Sequence, residues 1–214
     1  MPWEDFVLLL QEEYHAGWLV AGHDFRFGHR NAGTAAGLKM RAELLGMGCD
    51  VIPAVTLDGV TVSSTHIRAL LEQGEVEEAA RFLGRPFAIS GPVRHGKRIG
   101  TSRLGRPTVN LIPDEHQLVP AFGVYAARVA VDGKIYPAVT NVGVRPTVDT
   151  DGGVTVESHL LETAGELYGA DCRVEFWKML RPERRFDSME ALREQIGRDA
   201  AAAQEFFALR EDRK

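Results

Sequence analysis

Cysteine is almost absent from this chain, with only Cys49 and Cys172 among 214 residues, far apart in sequence. A disulfide framework is therefore not expected. A reducing, cytoplasmic compartment is the simpler reading, and both thiols read as core residues. Long apolar runs are missing too. No stretch approaches the roughly 18 consecutive apolar residues that a membrane span needs. Met1-Pro2-Trp3-Glu4-Asp5 has neither the basic nor the apolar region of a secretion signal. Nor is there an excess of basic residues. The net charge is −5, which argues against broad nucleic-acid binding while leaving room for a focused phosphate site. The sequence shows no internal repeat and no low-complexity segment.

What is present is the composition of an ordinary globular protein, 44% hydrophobic and 26% charged. Charge is uneven along it: residues 1–84 carry 6 Lys/Arg and 12 Asp/Glu, residues 85–214 carry 19 and 18. The first part has an α/β rhythm. Phe6, Leu9, Leu10 and Tyr14 predict a helix over 4–15, and Trp18–Gly22 predicts a buried strand. A second helix is expected over 33–46, a strand over 51–55, and two short helices after the hydroxyl cluster Ser63-Ser64-Thr65. At Gly84-Arg85-Pro86 the pattern changes. Alternation of period two predicts strands near 87–94, 107–112, 123–131, 135–142, 154–161 and 171–179, with Asp132-Gly133 as a hairpin turn. Six short strands with Gly/Pro-rich joints point to a closed antiparallel barrel. A last helix, capped by Asp187 or Ser188, carries Leu192, Ile196 and Phe206 near one stripe. The domains expected are 1–84 and 85–208, with a tail at 209–214.

Chemistry concentrates in His95–Leu111. Gly96, Gly100 and Gly105 allow backbone amides to approach a polyphosphate, and Lys97, Arg98, Arg103 and Arg106 supply positive charge. Thr108 and Asn110, two apart, share a strand face and offer hard oxygen ligands for Mg²⁺ beside a phosphate. The plainer reading is a solvated loop leading into an edge strand. The Walker Gly-Lys-Ser/Thr arrangement is missing. In Val156-Glu157-Ser158-His159-Leu160-Leu161, Glu157 and His159 share one face. A carboxylate projecting into a barrel mouth would suit proton abstraction from a hydroxyl, although a solvated strand face explains the same pattern. Asn141–Thr147 indicates a polar loop at a barrel rim.

Taken with Gly91–Gly96, Leu104–Leu111, Gly123-Val124-Tyr125, Leu167-Tyr168-Gly169 and Leu180-Arg181-Pro182-Glu183, these segments resemble bacterial riboflavin kinases in order and spacing across about 120 residues. The resemblance implies a six-stranded barrel of that type. It implies ATP and riboflavin as substrates, Mg²⁺ and ATP phosphates held by Thr108 and Asn110, and Glu157 as catalytic base. The Gly96–Gly105 segment would be a flap over the nucleotide, with Arg181 and His159 on the flavin side. Two departures fall in that flap: Arg106 stands where the family has an aromatic or aliphatic residue, and Gly100–Gly105 is one residue longer.

The first 84 residues are similar to the second half of the FMN adenylyltransferase domain of bifunctional FAD synthetases, a Rossmann-like nucleotidyltransferase fold. The likeness rests on Gly22-His23-Asp24-Phe25-Arg26-Phe27-Gly28 and Val62-Ser63-Ser64-Thr65-His66-Ile67-Arg68. It implies a remnant site of Asp24, Phe25, Arg26, Ser64, Thr65 and Arg68, though ordinary helix capping accounts for the hydroxyls equally. The family's His-x-Gly-His motif is not in the sequence, and Met1 aligns with the interior of the family domain. The expectation is an N-terminally truncated chain that makes FMN but not FAD and can self-associate through its partial sheet, with no nucleic-acid or membrane partner. The alternatives are a complete bifunctional enzyme from which this chain was cut, and a non-catalytic flavin- or oligonucleotide-binding barrel.

Overall fold

Two Asp-Gly pairs make tight turns. Asp58 and Gly59 have φ of 51° and 79°, and Asp132 and Gly133 have φ of 48° and 73°. Consecutive residues in the left-handed region are what a two-residue hairpin demands. The second pair joins two long strands, as the sequence predicts. The first closes a small hairpin that the strand pattern alone does not announce. The computed structural model describes residues 1–94, 108–144, 153–162 and 167–211. The chain divides into two compact units, 1–62 and 63–214.

The first unit contains α1 (Trp3–Glu12), β1 (Trp18–Gly22), β2 (Arg26–Phe27), β3 (Gly33–Thr34), α2 (Ala35–Leu44), β4 (Gly48–Ile52), β5 (Thr56–Leu57) and β6 (Val60–Thr61). Strands β1 and β4 pair in parallel, from Trp18 opposite Gly48 to Gly22 opposite Ile52. The strand expected at 51–55 thus starts earlier and stops before Pro53, which has no N–H for a ladder. Thr34 caps α2, its Oγ1 accepting from the Gly37 amide at 3.0 Å. Val7, Leu38, Ala42, Met47, Ala21 and Phe27 form the core.

The second unit begins with α3 (Ser64–Glu72) and α4 (Val76–Leu83). His66 packs edge-on against Phe82, ring centroids 4.5 Å apart. Leu71, Val76 and Ala79 join the same buried cluster as the strands that follow. Residues 63–84, grouped by composition with the first part of the sequence, therefore pack with the second. The strands are β7 (Phe87–Pro92), β8 (Thr108–Leu111), β9 (Gly123–Val131), β10 (Lys134–Val144), β11 (Val154–Leu160) and β12 (Asp171–Pro182), followed by α5 (Met189–Glu211). They form one antiparallel sheet in the order β7-β12-β9-β10-β11-β8.

The sheet curls, but the closed barrel expected from the sequence is only partly realised. Among the described residues its edges β7 and β8 meet at a single bridge, where the Arg94 amide donates to the Asn110 carbonyl at 2.8 Å. The concave side is apolar, with Ile89, Val109, Leu111, Tyr125, Val129, Val142, Val156, Leu160, Val174 and Phe176 all buried. Thr140 and Ser158 make the polar exception there, bonded to each other at 2.8 Å. The bond gives each buried hydroxyl a partner and favours one register of β10 on β11.

The convex side carries a second core where α5 lies on the sheet: Val124, Ala126 and Val139 pack with Ala203 and Phe207. Ser188 settles the cap of α5, its Oγ accepting from the Ala191 amide at 3.1 Å. Strand β12 shifts register twice against β9, between Phe176 and Lys178 and between Met179 and Arg181. Each bulge inserts one residue and re-aims the next. Trp177 and Leu180 are the inserted residues, and both pack into the convex core.

Candidate active site

Directly opposed residues of an antiparallel pair project from the same face. That rule, applied strand by strand, assembles the site. Arg181 of β12 is opposite Val124 of β9, Val124 opposite Asn141 of β10, Asn141 opposite Glu157 of β11, and Glu157 opposite Asn110 of β8. Arg94 stands beyond Asn110 through the closing bridge. An adjacent row runs Lys178, Ala126, Val139, His159, Thr108. Thr108, Asn110, Glu157, His159 and Arg181, separated by up to 73 positions in the chain, therefore lie in two neighbouring rows on one face.

That face is the convex one. Val109, Leu111, Val156 and Leu160, which alternate with the polar residues, fill the concave core instead. A carboxylate directed into the barrel mouth, as the sequence reading had it, is thus corrected: Glu157 projects from the outer surface, beside the part covered by α5. The physical reason is pleat parity, because the apolar alternates take the interior.

Within the rows, Thr108 Oγ1 and His159 Nδ1 are 3.2 Å apart. Burial lowers the His159 pKa below its ordinary value, and the neighbouring Glu157 charge opposes that shift. Asn110 is buried and Glu157 half-buried. At the far end Arg181 is held rather than free. Its Nε and Nη2 donate to the Asp199 carboxylate of α5 at 2.9 to 3.2 Å, and Nη1 donates to the Pro182 carbonyl at 3.2 Å. Asp199 is 4% exposed, and Gln195 donates to it at 2.7 Å. The Arg181 guanidinium also lies over the Phe186 ring, 5.5 Å from its centroid. Gly123, opposite Pro182, must be glycine for close packing: a Cβ there would come within 2.7 Å of the Arg181 carbonyl oxygen.

As a donor set, a threonine hydroxyl and an asparagine amide oxygen beside a carboxylate fit a hard divalent cation that is also held by phosphate oxygens. Among the described residues no cluster of three or more His, Cys, Asp or Glu could hold a metal by itself. Gly96, Gly100, Gly105 and Arg106, together with the expected flap, lie outside the described residues. Two residues of the row were missed by sequence reasoning, Asn141 and Arg94. From the sequence Asn141 reads only as part of a rim loop, and the signal for it is its register with Glu157, which no single strand reveals.

In the first unit, Asp24 and Phe25 follow the carboxyl end of parallel strand β1, where open α/β sheets place ligands. Phe25 stacks on Phe27 at 5.3 Å, Arg26 belongs to β2, and Asp24 is exposed. In the second unit, Ser63 caps α3, its Oγ accepting from the His66 amide at 3.2 Å, while Ser64, Thr65 and Arg68 lie within that helix.

The family model for riboflavin kinase matches residues 83–207. The chain belongs to the riboflavin kinase family. A FAD synthetase model matches residues 1–66. A bifunctional riboflavin kinase/FMN adenylyltransferase of Pseudomonas fluorescens is 42% identical over 190 residues, 89% of this chain and 60% of that protein. The protein of the same description from Escherichia coli K12 is 40% identical over 206 residues, covering 94% and 64%. A crystal structure described as a macrolide-efflux protein from Streptococcus pneumoniae superposes with a TM-score of 0.82 at 29% identity, covering 95% of this chain and 65% of that one. The chain thus spans about 60–65% of the length of these relatives. The curled sheet with its C-terminal helix is the riboflavin kinase fold, and the N-terminal α/β unit is similar to part of a FAD synthetase domain. No helix among the described residues is long and apolar enough to cross a membrane.

Proposed function

We propose that this chain transfers the γ-phosphate of ATP to the 5′-hydroxyl of riboflavin, giving FMN and ADP. The observation that carries the reading is the cross-sheet row in which Glu157 stands directly opposite Asn110, with Thr108 in the next row. Arg181 lies at the other end of the same face, four strand spacings or roughly 19 Å away along the curved sheet. Such a face can hold polyphosphate at β8 and β11 and a flavin toward β12, with Glu157 near the phosphate end.

In the reaction, the Glu157 carboxylate takes the proton of the ribityl 5′-hydroxyl as its oxygen forms a bond to the γ-phosphorus. The bond from phosphorus to the β,γ-bridging oxygen breaks, and ADP leaves with that electron pair. Positioning and charge stabilisation supply most of the acceleration in this class of transfer. Thr108 and Asn110 would hold magnesium together with the ATP phosphates, and the ion would neutralise charge on the transferring group. Arg94, next to Asn110, adds positive charge on the nucleotide side. Arg181, fixed by Asp199, faces the flavin side.

For this chain we also propose that FAD is not formed, since its sequence contains no His-x-Gly-His motif. The test of the kinase site is Glu157→Gln. The variant should lose roughly 10²- to 10⁴-fold in turnover, the usual contribution of a general base, while ADP affinity stays within about two-fold. Turnover near that of the parent would remove Glu157 from the mechanism.

A further inference from the structure

His159 lies in the row beside that of Glu157 and Asn110. It is directly opposite Thr108 in the β8–β11 ladder, and its Nδ1 lies 3.2 Å from the Thr108 hydroxyl oxygen. A threonine hydroxyl has one proton and two lone pairs, and its proton rotates to suit its surroundings. When the proton is given to a fixed acceptor, both lone pairs are directed elsewhere. Asn110 stands two residues along on the same face, with Glu157 opposite it. Lone pairs of Thr108 turned away from His159 are therefore available to that face.

We propose that His159 is a positioning residue: by accepting the Thr108 hydroxyl proton at Nδ1, it fixes Oγ1 as a metal and phosphate ligand of the nucleotide site. The inference rests on the kinase reading above. It places the ring proton on Nε2, leaving that nitrogen as a donor. It also explains why a ring sits here at all. The strand position needs only a polar side chain, but a rigid acceptor on β11 pins a rotor on β8, a strand of only four described residues. Ligand orientation by an outer hydrogen-bond partner is a general way to tune a metal site, and its loss costs roughly 10- to 100-fold in affinity.

The experiment uses the whole chain and ADP, with Mg²⁺ followed by calorimetry and Mn²⁺ by electron paramagnetic resonance. His159→Phe keeps a flat ring but has no acceptor, whereas His159→Asn returns an oxygen close to the Nδ1 position. Divalent-ion-dependent ADP binding should weaken roughly ten-fold or more in His159→Phe. It should return to within about three-fold of the parent in His159→Asn. Metal-free ADP and riboflavin affinities should stay within about two-fold in both. Thr108→Val should produce the same defect, and combining it with His159→Phe should add nothing further.

Unchanged metal dependence in His159→Phe, additive losses in the double variant, or a loss of riboflavin affinity in place of metal-dependent binding would each overturn the positioning role. If His159→Phe does not fold, the role stands or falls on His159→Asn and Thr108→Val: retained metal dependence in the first and its loss in the second support it, and any other pattern overturns it. A parent chain that binds no metal–ADP overturns the kinase reading and this inference together. A parent that binds it while the variants are unaffected overturns this inference alone.

Discussion

Arg94 and Asn110 show how single residues define the proposed nucleotide end of the face. The Arg94 amide closes the sheet on the Asn110 carbonyl at 2.8 Å, so its exposed side chain is carried by backbone to the side of the proposed phosphate ligands. A charge-assisted hydrogen bond to phosphate is worth about 1.5–3 kcal/mol, and exposure puts Arg94 at the low end. Arg94→Ala should raise the KM for ATP by roughly ten-fold and leave the KM for riboflavin unchanged, as steady-state kinetics with each substrate varied would show. A rise in the riboflavin KM alone would place Arg94 elsewhere. At this scale the sequence was informative about types and parity. The spacing of Thr108 and Asn110, and of Glu157 and His159, puts each pair on one face, and the strand register agrees. What it withheld was direction. Whether that face is concave or convex depends on which alternate set fills the core, and both strands carry plausible apolar partners only on comparison with their neighbours.

At the scale of elements, β12 and α5 act together. Two bulges let β12 present Trp177 and Leu180 to α5 and still bring Arg181 into the row of Glu157. The helix answers with Asp199, whose carboxylate takes two guanidinium N–H groups. Breaking a buried charge pair by removing one partner costs about 3–5 kcal/mol. Because the Arg181 side chain is 17% exposed, Asp199→Ala should cost nearer to 3 kcal/mol by urea unfolding. It should also weaken riboflavin binding by freeing Arg181 to move. Stability within about 0.5 kcal/mol of the parent would mean the pair has no structural weight. Elements with a local signal were legible beforehand: the Asp132-Gly133 hairpin, the six strands, the capped last helix. The Asp58-Gly59 hairpin carries the same turn signal but its strands have two residues each, too short for a period-two pattern. The bulges of β12 leave no local trace either. They are set by what α5 and β9 require, which is non-local.

Across the whole molecule, the two units differ in how their sheets are covered. The sheet of the second unit carries an apolar core on its concave side and is covered by α5 over part of its convex side. The first unit has one parallel pair, β1 and β4, with helices contributing the core on one side. Trp18 is 62% and Val20 64% exposed on the other side. Parallel strands are normally buried on both faces, and we propose that this face takes part in self-association. Light scattering should show concentration-dependent self-association in the micromolar range that Val20→Lys reduces. A parent chain that stays monomeric at every concentration would rule out association through this face. The composition change at residue 84 marked where the strand-rich part begins, but the compact units divide at 62/63. Helices α3 and α4 carry the polar character of the first segment while burying Leu71, Val76 and Ala79 in the second.

The kinase assignment depends on all three scales at once: the residues of two rows, the bulged strand and helix that hold them, and a unit whose sheet is packed by a core on each side. Its most direct test is a single incubation of the chain with riboflavin, ATP and Mg²⁺, with flavins separated by chromatography and ADP measured in the same sample. The expected result is FMN and ADP in equal amounts, with no FAD at any time. A folded chain that yields no FMN, or ADP without FMN, would contradict the account.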